Sequence, residues 1–235
     1  MLPCLARFNL PMPLGGTSNH FRVGALHAVG GWDPHNVTED ADLGFRLARF
    51  GYQTRTLDSL TYEEANTRLG NWLSQRTRWL KGFLQTWLVH TRHPALLIRE
   101  LGLAGTWVFL CSTFAVFASA LLYPLFVLMT LRLFILAPVG ELNNLYGFAG
   151  GLALSVSVLG YGLAGYGASV ALRRKRIFGW GLPILGMPVY WLLIGLAAWL
   201  AIWEFIVRPF HWNKTRHGLS AFGQPASQKF PGKPI

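Results

Sequence analysis

The chain has 235 residues, 52% of them hydrophobic and 13% charged, with 10 Trp and a formal net charge of +11. That balance excludes a wholly water-soluble domain and fits a membrane protein with a modest aqueous portion. It also argues against nucleic-acid binding, because no such motif is present and the cations cluster at Arg173-Arg174-Lys175-Arg176 and over 208–217, beside apolar runs where basic residues mark a cytoplasmic flank.

Residues 1–95 read as an aqueous, mixed α/β portion. Met1 is followed by a short mixed stretch with Pro3, Arg7 and Pro11, so membrane insertion is expected to rest on internal apolar segments. Cys4 and Cys111 give neither a disulfide framework nor zinc spacing. Residues 10–21 carry Pro11, Pro13, Gly15 and Gly16 before Thr17-Ser18-Asn19-His20, which predicts a strand end and a loop whose backbone approaches something closely. A short helical run over 23–29 closes at Gly30-Gly31, and residues 32–36 form a turn.

Thr38-Glu39-Asp40-Ala41-Asp42 opens a helix running to about Phe50, with Asn36 or Thr38 as cap, acids in the first turn and Gly51 at its end. Residues 52–57 and 60–64 read as strands. A helix follows over 67–89. There Gln75, Arg78 and Trp79 share one face, because positions three and four apart are neighbours. Arginine can grip phosphate bidentately, Trp offers a flat surface to a sugar ring, and Gln can hydrogen-bond hydroxyls. A membrane-surface helix with snorkelling Arg and interfacial Trp is the alternative.

From Leu101 the chain turns apolar. Residues 103–131 and 145–172 each exceed the roughly 20 residues that cross a bilayer. The first contains Pro124, and the second is rich in small residues. Residues 177–207 are interrupted early by glycines and prolines. The basic flanks favour an interfacial or re-entrant course for this run, with a third span as the alternative. Residues 101–220 thus form a membrane domain, and 220–235 a disordered tail. The spans lack the ionisable residues of a transporter pathway, apart from Arg132 and Glu204 near their ends.

Asp40 can serve as a general base or merely as a helix-dipole partner. Asp40-Ala41-Asp42 also spells a D-x-D that could hold a divalent cation, although acids one residue apart on a helix point in different directions. In order and spacing, Gly16-Thr17-Ser18-Asn19-His20, Gly30-Gly31-Trp32, Thr38-Glu39-Asp40-Ala41-Asp42 and Gln75-Arg76-Thr77-Arg78-Trp79 resemble the second half of family 2 glycosyltransferases. The likeness is to the membrane-embedded processive ones, cellulose synthase and its curdlan, chitin and hyaluronan relatives.

The resemblance implies a partial GT-A-like α/β cytoplasmic portion followed by an α-helical membrane portion. It implies that Asp40 is the catalytic base, with Thr38, Glu39, Gln75, Arg78, Trp79, Ser18, Asn19 and His20 binding substrate. In that family the motif arginine contacts the donor diphosphate and the tryptophan stacks on the acceptor. The stretch Trp212-Asn213-Lys214-Thr215-Arg216-His217 resembles the family's cytoplasmic gating loop, assigning Trp212, Lys214, Thr215 and His217 to a lid. Trp212, Lys214 and His217 depart from the family residues. A basic tail attracted to anionic lipid is the alternative reading.

The implied reaction moves a hexose, with inversion, from a nucleotide-diphosphate sugar (a UDP-sugar) to a growing β-linked glycan. The implied place is the cytoplasmic face of a bacterial inner membrane. Mg2+ or Mn2+ is expected for the intact enzyme, with no metal ligand in this chain, because the family's nucleotide- and metal-binding half lies upstream. The chain alone is therefore expected to be inactive. The competing expectation is a catalytically incomplete membrane subunit that binds glycan or a partner transferase.

Overall fold

The computed structural model describes residues 2–57, 59, 61, 63, 65–136, 144–174 and 181–212. Regular structure among them is helical. In chain order the helices are α1 (Leu2–Arg7), α2 (Val23–Ala28), α3 (Glu39–Arg49), α4 (Leu69–His90), α5 (Pro94–Leu110), α6 (Val116–Leu136), α7 (Asn144–Arg174), α8 (Gly181–Leu185) and α9 (Met187–Val207). A π-helical stretch, Cys111–Ala115, joins α5 to α6.

The helix ends follow their local chemistry. Gly30 and Gly31 take φ of 79° and 70°, and Gly51 takes 81°, left-handed values that suit residues without a Cβ and stop α2 and α3. Gly102, at φ 68° and ψ 173°, breaks α5 into a first part and a second that continues into the membrane stretch.

The strand expected over 52–57 does not form, and the one expected over 60–64 lies partly outside the described residues; no strand occurs among the described residues, so the α/β character expected for the first portion is not seen there. The alternation of residues 52–57 meets no partner strand, and a strand without a ladder leaves its backbone groups unpaired. Instead Tyr52 N–H closes α3 on Leu47 O at 2.9 Å, and Arg55 donates to Ala6 O at 2.6 Å. Ser18 Oγ and Thr61 Oγ1 lie 2.8 Å apart, and Thr17 donates to Glu63.

Three stretches are long and apolar enough to cross a bilayer: Pro94–Leu136, Asn144–Arg173 and Met187–Val207. At about 1.5 Å per residue, the third alone reaches hydrocarbon thickness. Its small face is what packs. Ala197, Ala198 and Ala201 are buried in one cluster with Leu80 of α4 and Phe117 and Ala120 of α6. A Cβ added at Gly195 would press on the Pro124 ring at 2.5 Å. Small residues permit this close helix approach where lipid supplies no hydrophobic drive.

A second packing unit joins α3 to α5. Phe45 of α3 is fully buried, edge-on to Phe109 at 4.9 Å and beside Leu97. Close approach continues at Gly44, where an added Cβ would collide with the backbone of Met12 and Leu14. Helix α4 lies between these two units. Its inward residues Thr77, Lys81, Gly82, Gln85 and Thr86 are buried yet mostly polar, so α4 joins the membrane helices to α3 through hydrogen bonds.

Candidate active site

The turn before α3 is strapped to α4 at four successive places. Asn36, itself buried, donates to Thr86 Oγ1 at 2.8 Å, and its carbonyl oxygen accepts the Thr38 N–H at 2.9 Å. Val37 donates its N–H to Gln85 Oε1 at 3.2 Å, and its carbonyl accepts from Arg78 Nη1 at 3.1 Å. Thr38 packs on the bare backbone of Gly82, where any Cβ would overlap it. Arg78, Gly82, Gln85 and Thr86 recur at helical spacing, so a single face of α4 fixes the start of α3.

That strapping sets the acids. Asp40 is half-buried, and its Oδ1 accepts the Ala41 N–H at 2.8 Å, satisfying one of the donors a helix start leaves open. Its Oδ2 faces the loop at Gly16, where an added Cβ would sit 3.2 Å away. The glycine therefore lets the 15–20 backbone run beside the carboxylate. Burial raises the Glu39 pKa, the neighbouring Asp40 charge adds to that, and its own backbone N–H and Arg78 oppose it.

Arg78 completes the cluster. Burial lowers its pKa, opposed by the charges of Glu39 and then Asp40, so its guanidinium lies within the field of both acids and stays a cation. It stacks 4.9 Å from the Trp212 ring centroid. Its Nε is buried with no hydrogen-bond partner.

Asp42 has a different role. It is 2% exposed and held by His90 Nε2 at 2.9 Å and Arg46 at 2.7 Å. Arg49 Nη1 lies 3.0 Å from His90 Nδ1, and since Arg can only donate, His90 carries its proton on Nε2. Burial alone would raise the Asp42 pKa, but the His90 hydrogen bond, then Arg46, outweigh it and hold the carboxyl below its usual value.

A carboxyl depressed on folding stabilises the fold above its ordinary pKa, and that contribution disappears as pH falls through the lower folded value. Thermal unfolding in detergent should therefore show wild type losing stability below about pH 4 more steeply than Asp42→Asn. At neutral pH the variant should be less stable by about 1–3 kcal/mol, the worth of hydrogen bonds to a charged group. Equal acid slopes for the two proteins would contradict this.

Other expected site residues fall elsewhere. The Trp79 ring packs against Arg76 at 4.3 Å, and Arg76 also reaches the Trp72 ring at 5.5 Å. The aromatic partner of Arg78 is thus Trp212, while Trp79 pairs with the other motif arginine. Gln75 Oε1 accepts from Asn66 at 2.9 Å. Ser18, with φ 58°, meets Thr61; Asn19 donates to Gly15 O; and His20 is exposed.

The structure thus brings together Asp40, Glu39, Arg78, Trp212 and the Gly16 edge of the loop. Lys214, Thr215 and His217 lie outside the described residues. Gly82 and Gln85 escaped the sequence reading, and Asn36 entered it only as a helix cap, although positions four and seven beyond Arg78 on one helix face were available to signal Gly82 and Gln85.

No three His, Cys, Asp or Glu side chains converge as a metal site among the described residues, and Asp42 is already engaged by cations. The described residues thus offer no set that fits Mg2+ or Mn2+.

A family model described as "Glycosyl transferase family group 2" matches residues 4–149, more than half of the chain. The chain is similar to the probable glycosyltransferase YdaM of Bacillus subtilis (strain 168), 34% identical over 68 residues. That similarity covers 28% of this chain and 16% of the length of YdaM. No solved structure matches.

Proposed function

The chain belongs to glycosyl transferase family group 2, and from that premise we propose that it forms the acceptor-side and membrane portion of an inverting transferase. The donor is a nucleotide-diphosphate hexose, a UDP-sugar, and the acceptor a growing β-linked glycan at the cytoplasmic face of a bacterial inner membrane. What supports this reading is the half-buried Asp40 carboxylate, beside the Gly16 backbone, in one cluster with the Arg78 guanidinium.

Asp40 takes the proton of the acceptor hydroxyl as that oxygen attacks the anomeric carbon. The glycosidic C–O bond forms while the bond to the diphosphate breaks on the opposite side, and this single displacement inverts the centre. Arg78 receives the developing diphosphate charge with donors already in place. Thr38, Glu39 and the 18–20 loop contact sugar hydroxyls around Asp40. Gln75 and Trp79 contact the acceptor further along α4.

In this reading a further portion binds the donor, and this chain alone does not turn over. Incorporation of labelled sugar by this chain alone would overturn that part. Arg78→Lys tests the site in the complete transferase. Loss of the bidentate fork should lower kcat/KM for the nucleotide sugar roughly 10- to 100-fold, the worth of a charge-assisted hydrogen bond. Labelled-sugar incorporation within twofold of wild type would remove Arg78 from the reaction.

A further inference from the structure

Beyond the acid cluster, α4 carries two buried polar side chains that the reaction does not use. Lys81 is fully buried, with Nζ 3.0 Å from Glu204 Oε2 near the end of α9 and 2.9 Å from the backbone carbonyl of His211. Gln85 is 6% exposed and uses both ends of its amide. Its Oε1 accepts from Val37, while its Nε2 donates to Pro209 O at 3.0 Å.

An apolar side chain would pack α4 on α9 without the desolvation a buried charge incurs, as Leu80 does one residue earlier. Backbone geometry accounts for the polar choice. Carbonyls just past the end of a helix have no intrahelical partner, and two of those past α9 take their donors from α4. Lys81 serves the His211 carbonyl and Gln85 that of Pro209. The same stretch touches the acid-bearing turn directly, with Phe210 edge-on to His35 at 5.4 Å. Val37, one residue before Thr38, has its N–H on Gln85 and its carbonyl on Arg78.

We propose that Lys81 and Gln85 are positioning residues that lock the residues following α9 to the turn carrying Asp40, so that the setting of the last membrane helix fixes the placement of the acid. The significance of Asp40 rests on the proposed transferase reading; the lock itself does not.

The test uses the full chain in lipid nanodiscs, with Cys4→Ser and Cys111→Ala as background and His35→Cys with Phe210→Cys as reporter pair. The rate of oxidative cross-linking reports how firmly the two segments are held. Gln85→Glu keeps an acceptor for Val37 but has no donor for Pro209. Lys81→Met with Glu204→Leu removes the two charges together, but leaves the His211 carbonyl without its donor. Both should slow cross-linking by about fivefold, the population change one hydrogen bond controls; the melting temperature should stay near that of the parent for Lys81→Met with Glu204→Leu and fall for Gln85→Glu, which buries a carboxylate against the Pro209 carbonyl.

Wild-type cross-linking in either variant would strike that residue from the assignment, and in both would overturn it. Because no turnover is needed, this outcome and loss of the transferase reading are separable.

Discussion

Gly82→Ala should destabilise the protein, although alanine is the better helix former by about 1 kcal/mol. Position 82 lies within α4, at the point where Thr38 rests on the helix backbone, and a Cβ there overlaps the Thr38 side chain. Relief requires moving Thr38, and with it Val37 and Asn36, whose hydrogen bonds to Gln85, Arg78 and Thr86 depend on their present register. Overpacking of a close contact costs typically about 1–3 kcal/mol and displaces backbone.

Gly70→Ala in the same helix is the control, since nothing lies within 4 Å of a Cβ added there. Thermal unfolding in detergent should move down for Gly82→Ala and stay level or rise for Gly70→Ala. A rise for both would show that Thr38 has room to spare. In the complete transferase Gly82→Ala should also lower turnover, because the displaced turn carries Asp40.

The local punctuation of the chain was readable from residue types. Gly30, Gly31 and Gly51 end helices because they adopt left-handed φ, and the acid-rich start and apolar spacing of residues 39–49 give α3. Gly16 in a glycine- and proline-rich stretch predicted a close backbone approach, and its neighbour is the Asp40 carboxylate.

Alternation over residues 52–57 misled, because alternation states only that a strand could form. Whether it does depends on a partner strand elsewhere, and none is present among the described residues. Shared helical spacing put Arg78 and Trp79 on one face, yet side chains one residue apart point about 100° from each other. Tertiary contacts then chose: Arg78 turned to Val37 and Trp212, while Trp79 took Arg76. The buried polar face of α4 was hidden for a related reason. Lys81 and Gln85 look like solvent-facing residues until the chain past α9 folds over them.

The carboxylate itself offers the most direct test. Asp40→Asn keeps the shape of the side chain and an oxygen able to accept the Ala41 N–H, so folding should survive. An amide cannot take the acceptor's proton, and general-base catalysis is worth roughly 10²–10⁴-fold. In the complete transferase, incorporation of labelled sugar should fall by that factor, with the melting temperature and the His35–Phe210 cross-link unchanged. Incorporation near the wild-type rate would contradict the account, whatever the rest of the cluster does.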